Sequence, residues 1–231
     1  MSRRGGSRML HRDLTRTFIM PPTGRQLLKA ALPLIPQYGF SRIALARSVQ
    51  QLGESEQLSD TAVSALFGDG ERARKTLVNA WLDEGLVSMA ESGGKSVGDA
   101  LHARLAYNES VLAHLPEAFA LLSVPNAKWT VVPPLDPLPA LQHSARIADE
   151  ACHISGDAST RLSWYARRAW LMGVYSAAEL HQLTSPSSAH AFLDDLLRGS
   201  SALEATASSI SQFSEYVFRS WAGIARSRGL L

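Results

Sequence analysis

Asp149-Glu150-Ala151-Cys152-His153-Ile154-Ser155-Gly156-Asp157-Ala158-Ser159-Thr160, with Trp164-Tyr165-Ala166-Arg167-Arg168-Ala169 shortly after it, is the stretch whose reading decides the fold. Gly156 can take the left-handed conformation that ends a helix, and Asp157 or Ser159 can cap the next N-terminus. The stretch therefore reads as a sharp, rigid corner between two helices. In the second of them Trp164, Arg168, Leu171 and Tyr175 recur at i, i+4, i+7 and i+11, which places them on one face. Tyr165 falls to one side of that face.

Helical spacing continues outward in both directions. The corner joins a helix over Leu141 to Ser155 with one over Ser159 to about Leu183, and a turn at Ser185 to Ser188 leads into a short helix over Phe192 to Leu197. Upstream, Val124 to Pro139 holds Pro125, Pro133, Pro134, Pro137 and Pro139, so it is expected to be an extended loop. Leu101, Leu105, Val111, Leu112 and Leu115 outline one or two helices around Pro116. A Gly/Ser-rich link over Glu91 to Gly98 separates them from a helix starting at Glu71, with Leu77, Trp81 and Leu82 on one side. Gly68-Asp69-Gly70 stops a short helix over Ser59 to Phe67, and Gly53 stops another over Ile43 to Leu52. The first helix starts at Thr23 and carries Leu27, Leu28, Ala31, Leu32 and Ile35 towards Tyr38-Gly39; Pro33 and Pro36 are expected to bend or shorten it. A last helix is expected from about Ala202 to Arg226. Strand-like alternation is absent, and the fold class is all-α.

Of the chain's 231 residues, 45% are hydrophobic and 19% charged, a globular balance. No segment approaches the roughly 20 consecutive apolar residues of a membrane span. A single cysteine, Cys152, excludes an intrachain disulfide framework. Charge is uneven. Arg3, Arg4, Arg8, Arg12 and Arg16 precede Pro21 with only Asp13 against them; of 23 basic and 21 acidic residues this leaves 18 and 20. Residues 1–20 therefore read as a mitochondrial transit peptide, the alternative being a disordered basic tail. The remainder divides into an N-terminal part over 23–90, a helical part over 99–200 and a C-terminal amphipathic helix over 202–231.

The order of the N-terminal helices is that of a helix-turn-helix domain, which raises a ligand-sensing transcriptional repressor as one reading. A recognition helix must present Arg, Lys, Asn or Gln to bases and phosphates. Ser59 to Phe67 offers Ser59, Asp60, Thr61 and Ser64 and no cation. Nucleic acid is accordingly not an expected partner. Glu150-x-x-His153 has metal-ligand spacing, but a di-iron carboxylate bundle needs a second Glu-x-x-His, and Asp99-x-x-His102 is a poor echo. Cys152 and His153 are helix neighbours and point about 100° apart. There is no Gly-x-Ser-x-Gly elbow, Walker loop or dinucleotide fingerprint. The sequence offers no catalytic residue, metal site or cofactor site, and the chain is expected not to be an enzyme.

The pattern D-x-x-x-H-x-x-G-D-x-S-T-x-x-x-W-Y-x-R-R-A over residues 149–169 resembles that of the ubiquinone (coenzyme Q) biosynthesis accessory family, whose members have a tetracycline-repressor-like fold. Leu27 to Gly39 and Ser64 to Gly70 extend the resemblance, which covers roughly residues 24 to 230. Arg161-Leu162 stands where relatives usually carry Asp-Phe, and Ala151-Cys152 replaces bulkier apolar side chains. The resemblance implies a vestigial helix-turn-helix and a homodimer that binds an isoprenoid quinone, its precursor or a phospholipid. It also implies docking to the di-iron demethoxyubiquinone hydroxylase, and to other proteins of the pathway, on the matrix side of the mitochondrial inner membrane. Carried onto this sequence, the docking patch comprises Asp149, His153, Asp157, Trp164, Tyr165 and Arg168; Trp164 and Tyr165 could equally be core anchors. Leu101, Leu105, Leu112 and Tyr175 are the candidate lipid-lining positions, chosen by apolar spacing. Ile210, Phe213, Val217, Trp221 and Ile224 form a stripe near Arg219, Arg226 and Arg228. That composition suits a helix lying in a membrane interface, and the resemblance implies one there; a core or dimer face would use the same stripe.

Overall fold

A computed structural model of the chain describes residues 23–124, 136, 138–157 and 162–199. The proposed transit peptide and the C-terminal stripe lie outside the described residues, as do Ser159 and most of the proline-rich loop. Every regular element among the described residues is helical, so the all-α expectation holds.

Helix α1 (Gly24–Ala31) starts at a reciprocal cap: Gln26 N–H donates to Thr23 Oγ1, and Thr23 N–H donates to Gln26 Oε1 at 2.8 Å. Pro33 and Pro36 then break the expected single helix into a 3-10 turn (Leu32–Leu34) and the one-turn α2 (Ile35–Tyr38), each proline sitting in a first turn where its missing N–H leaves nothing unpaired. Helix α3 (Arg42–Arg47) tightens into a 3-10 turn (Ser48–Leu52) before Gly53. Helix α4 (Asp60–Phe67) is capped by Ser59. The long α5 (Glu71–Glu91) leads to α6 (Val97–Glu109), which opens on a Ser96/Asp99 capping box. Pro116 lies in the first turn of α7 (Leu115–Ser123).

Helix α8 (Leu138–Ile154) begins three residues earlier than its apolar spacing suggests. Pro139 belongs to its first turn rather than to the preceding loop, and Asp136 Oδ1 accepts the N–H of Leu138 at 3.0 Å. Helix α9 (Leu162–Thr184) follows, then a 3-10 turn (Pro186–Ser188) and α10 (Ala189–Gly199), which is longer at both ends than Phe192 to Leu197.

The helices enclose two apolar clusters. The first gathers Leu27, Ile35, Leu45, Val63, Leu77 and Trp81 from the N-terminal helices with Phe119 of α7. The second gathers Leu101 and Leu105 of α6, Ile147 of α8, Leu171 and Tyr175 of α9, and Leu193 of α10. Helix α5 spans both, contributing Trp81 to the first and Met89 to the second. This shared helix holds the α8–α9 corner at a fixed place relative to the N-terminal helices.

Candidate functional site

The α8 end of the α8–α9 corner is built as its sequence suggests, whereas the expected capping of α9 falls on residues outside those described. Gly156 has φ 67, and the chain reverses there through two backbone hydrogen bonds, from Gly156 N–H to His153 O and from Asp157 N–H to Cys152 O, both 3.0 Å. This is the Schellman closure, in which the last carbonyls of α8 are satisfied and only glycine adopts the required backbone without strain.

From α9, Arg168 reaches back across the corner. Its Nε donates to Asp149 Oδ1 at 2.7 Å and its Nη1 to Asp157 Oδ2 at 3.3 Å, while Arg167 lies 3.5 Å from the other oxygen of Asp157. The Arg168 guanidinium also covers the Trp164 ring, 3.9 Å from its centroid. Tyr165 meets Trp164 edge to face at 4.7 Å between ring centres. Trp164 is half-buried, whereas Tyr165 is 67% exposed. Of the two alternatives open from sequence, Tyr165 is thus a surface residue and Trp164 bridges surface and interior. His153 is exposed in the last turn of α8, one turn after Asp149 and on the same face. The structure therefore gathers Asp149, Asp157, Trp164, Tyr165 and Arg168 into one contact network, with His153 beside it.

The composition of this cluster suits contact with another surface. Tryptophan, tyrosine and arginine, held in place by ion pairs behind them, are the residue types that dominate binding energy at protein interfaces. Cys152 is fully buried beneath the corner, where burial pushes its thiol above the ordinary range and keeps it a poor nucleophile.

The candidate lipid-lining residues fall in two places. Leu101, Leu105 and Tyr175 lie in the second cluster with no exposed surface, and Leu112 is half-buried against the first. Among these residues the sequence reading missed a polar network. Tyr175 Oη donates to Glu179 Oε1 at 2.8 Å, and His143 Nε2 lies 3.2 Å from that oxygen. Asn108 Nδ2 donates to Glu179 at 3.1 Å and to Gln182 Oε1 at 3.2 Å; Gln182 in turn donates to Leu105 O at 2.8 Å. Arg104, completely buried, donates to Asn108 and lies under the rings of Trp81 and Tyr107. Burial alone would raise the Glu179 pKa, but the neighbouring His143 and Arg104 outweigh it and hold the carboxyl below its usual range.

Arg104 fits because Gly85 of α5 leaves it room: a Cβ there would come within 3.0 Å of Arg104 Cζ and 3.1 Å of Tyr107 Cδ1. A signal was present in the sequence. Arg104 and Asn108 continue the stripe of Leu101 and Leu105, and Glu179 and Gln182 continue that of Leu171 and Tyr175.

On the N-terminal helices, Arg42 of α3 occupies the front of α4. Its Nη2 donates to Asp60 Oδ1 at 2.6 Å, to Asp60 O at 3.0 Å and to Ser64 Oγ at 2.8 Å. With Ser59 Oγ accepting the N–H of Ala62, three of the four polar side chains available to a recognition helix are engaged within the protein.

Fold and site together define an all-helical protein whose most elaborated surface is an aromatic, arginine-braced corner. Residues 138–204, which include α8, the corner, α9 and α10, match the COQ9 family model. The chain carries a COQ9 family domain and is homologous to curated COQ9 proteins. It is 31% identical over 175 residues to the mitochondrial ubiquinone biosynthesis protein COQ9 of Bos taurus, covering 70% of this chain and 51% of that protein. Against COQ9-A of Xenopus laevis the identity is 31% over 177 residues, 71% of this chain and 51% of the relative. The coq9 protein of Schizosaccharomyces pombe is 26% identical over 215 residues, 88% of this chain and 80% of its own length. The chain thus spans about half the length of the vertebrate relatives it matches.

Proposed function

We propose that the chain is a non-catalytic accessory protein of ubiquinone biosynthesis, acting in mitochondria. It binds an isoprenoid quinone precursor and presents it to the di-iron demethoxyubiquinone hydroxylase, as a homodimer lying peripherally on the matrix side of the inner membrane. The observation that carries this reading is the braced Trp164–Tyr165 corner, which falls inside the segment matched by the family model. The absence of a cation on α4, together with the engagement of its Asp60 and Ser64 by Arg42, speaks against the repressor alternative, since few of its polar side chains are left to read bases.

In this reading Asp149, His153, Asp157 and Arg168 frame the docking surface around the two aromatic residues. Leu101, Leu105, Leu112 and Tyr175 face the lipid, and uptake requires α6 and α9 to part, because three of the four have no exposed surface in the closed packing. Apolar burial drives it, at roughly 25 cal/mol per Å² removed from water. The stripe Ile210, Phe213, Val217, Trp221 and Ile224 touches the membrane.

The test is association with the hydroxylase. Trp164→Asp abolishes co-purification and leaves helical circular dichroism intact; retained association overturns the docking assignment, and lost helicity marks Trp164 as a core residue. Native mass spectrometry with lipid extraction checks the rest: a dimer carrying an isoprenoid quinone or precursor is expected, and a lipid-free protein removes the lipid assignment. Deleting residues 202–231 weakens liposome co-sedimentation, whereas unchanged binding removes the membrane assignment.

A further inference from the structure

A chain of four titratable groups joins α6 to α10, away from the corner. His102 Nδ1 of α6 and His190 Nδ1 of α10 are 2.7 Å apart. The ring planes differ by 15° and the ring centres are 5.0 Å apart, which is the Nδ1 contact plus roughly one ring radius at each end. The two imidazoles therefore meet edge to edge, with both Nδ1 atoms on the line between their centres. On the outer sides His102 Nε2 lies 2.8 Å from Asp194 Oδ1 and His190 Nε2 lies 3.2 Å from Glu109 Oε1.

Donors and acceptors can be counted along this chain. An ionised carboxylate only accepts, so each ring must give its Nε2–H outward. A neutral imidazole has a single N–H, and two neutral rings so placed would bring two bare Nδ1 lone pairs together at hydrogen-bonding distance. Turning one ring's tautomer round only moves the conflict, because its bare Nε2 would then face a carboxylate. The arrangement closes when the pair holds three N–H protons: one imidazolium, one imidazole and one proton between the Nδ1 atoms. We propose that His102 and His190 share one proton, and that this proton latches α10 onto α6, making the seating of α10 dependent on pH.

The surroundings fit a cation. Asp99 lies one turn before His102 on α6, Glu109 about two turns after it, and Asp194 and Asp195 come from α10, where Arg198 is bonded to Asp195. Helix α9 adds one further titratable ring, His181, stacked on Phe192 at 4.4 Å and 2.8 Å from Ser188 Oγ. Ala189 and Leu193 are fully buried and hold α10 by apolar contact. Loss of the proton therefore loosens α10 without unfolding it, and α10 is the element from which the chain runs on to residue 200.

The test uses the full chain with isotope-labelled histidine, followed by nuclear magnetic resonance from about pH 5 to about pH 9, the span in which imidazoles change charge. The expected result is linked titration of His102 and His190 with loss of one proton, accompanied by faster amide exchange in α10 relative to α9. After correction for intrinsic rates the change is on the order of fivefold, as befits partly exposed pairs. His190→Leu and, separately, His102→Leu leave α10 at the loosened level across the whole range. His181→Asn keeps the pH response. Independent titration of the two rings, an α10 indifferent to pH, or a response abolished by His181→Asn instead would each overturn the proposal.

Discussion

Arg168 and Arg104 each lie against a tryptophan, 3.9 Å from the Trp164 centroid and 4.7 Å from that of Trp81, yet they do opposite things. Arg168 sits at the corner with two carboxylates and an exposed tyrosine nearby. Arg104 is sealed in the interior, where its Nε and Nη2, like Glu179 Oε2, have no hydrogen-bond partner among the described residues. Arg168 pairs outward with the exposed Asp149 and inward with the buried carboxylate of Asp157, a partly screened cluster whose aromatic neighbour Tyr165 stays exposed. A buried charge, once its environment is built around it, cannot be changed at one end without leaving the other uncompensated. The contrast separates an aromatic-flanked cluster at the surface from a charged network sealed in the interior.

Arg104→Ala should produce the largest effect. Removing one partner of a buried charged network costs about 3–5 kcal/mol, read as a lowered midpoint in urea unfolding. Arg168→Ala should cost less, about 1–3 kcal/mol in the same assay, because the buried Asp157 carboxylate keeps Arg167 beside it; equal losses would break the contrast.

Acid sharpens it next. His143 and Arg104 hold the Glu179 carboxyl below the usual carboxylate range, so its stabilising contribution is fully present above that range and is lost as pH falls through the lower folded value. Urea midpoints measured on descending pH should fall in this window, and Glu179→Gln should flatten that slope.

Gly156→Ala should cost about 1 kcal/mol, because φ 67 places a side chain in the left-handed region; thermal melting reads it. Smallest of all, Tyr165→Ala should shift stability by no more than about 0.5 kcal/mol while reducing co-purification with the hydroxylase. A large stability loss there would mean that Tyr165 is not the free surface residue its exposure indicates.

The corner was legible because each of its parts leaves a local mark. Gly156 announces the reversal, and the spacing of Trp164, Arg168, Leu171 and Tyr175 places the aromatic and the cation together. Helix ends were less so: Pro139 reads as a loop residue until it is recognised as a first-turn proline, and Pro33 and Pro36 divide one expected helix into three short pieces. The polar network escaped because Arg, Asn, Glu and Gln are normally solvent-facing, and only their alignment with Leu101, Leu105 and Tyr175 betrays burial. The His102–His190 contact joins residues 88 positions apart and leaves no periodic trace.

Gly85 and Arg104 form a complementary notch and plug, so neither position is free to drift alone. A methyl group at residue 85 would need a shorter side chain at residue 104, and a shorter side chain there would leave Trp81 and Tyr107 facing a void unless the notch were filled. Evolutionary exchange at these two sites is thus expected to be paired: homologous chains should carry a small residue at 85 with a long cation at 104, or a bulkier residue at 85 with a compact apolar one opposite.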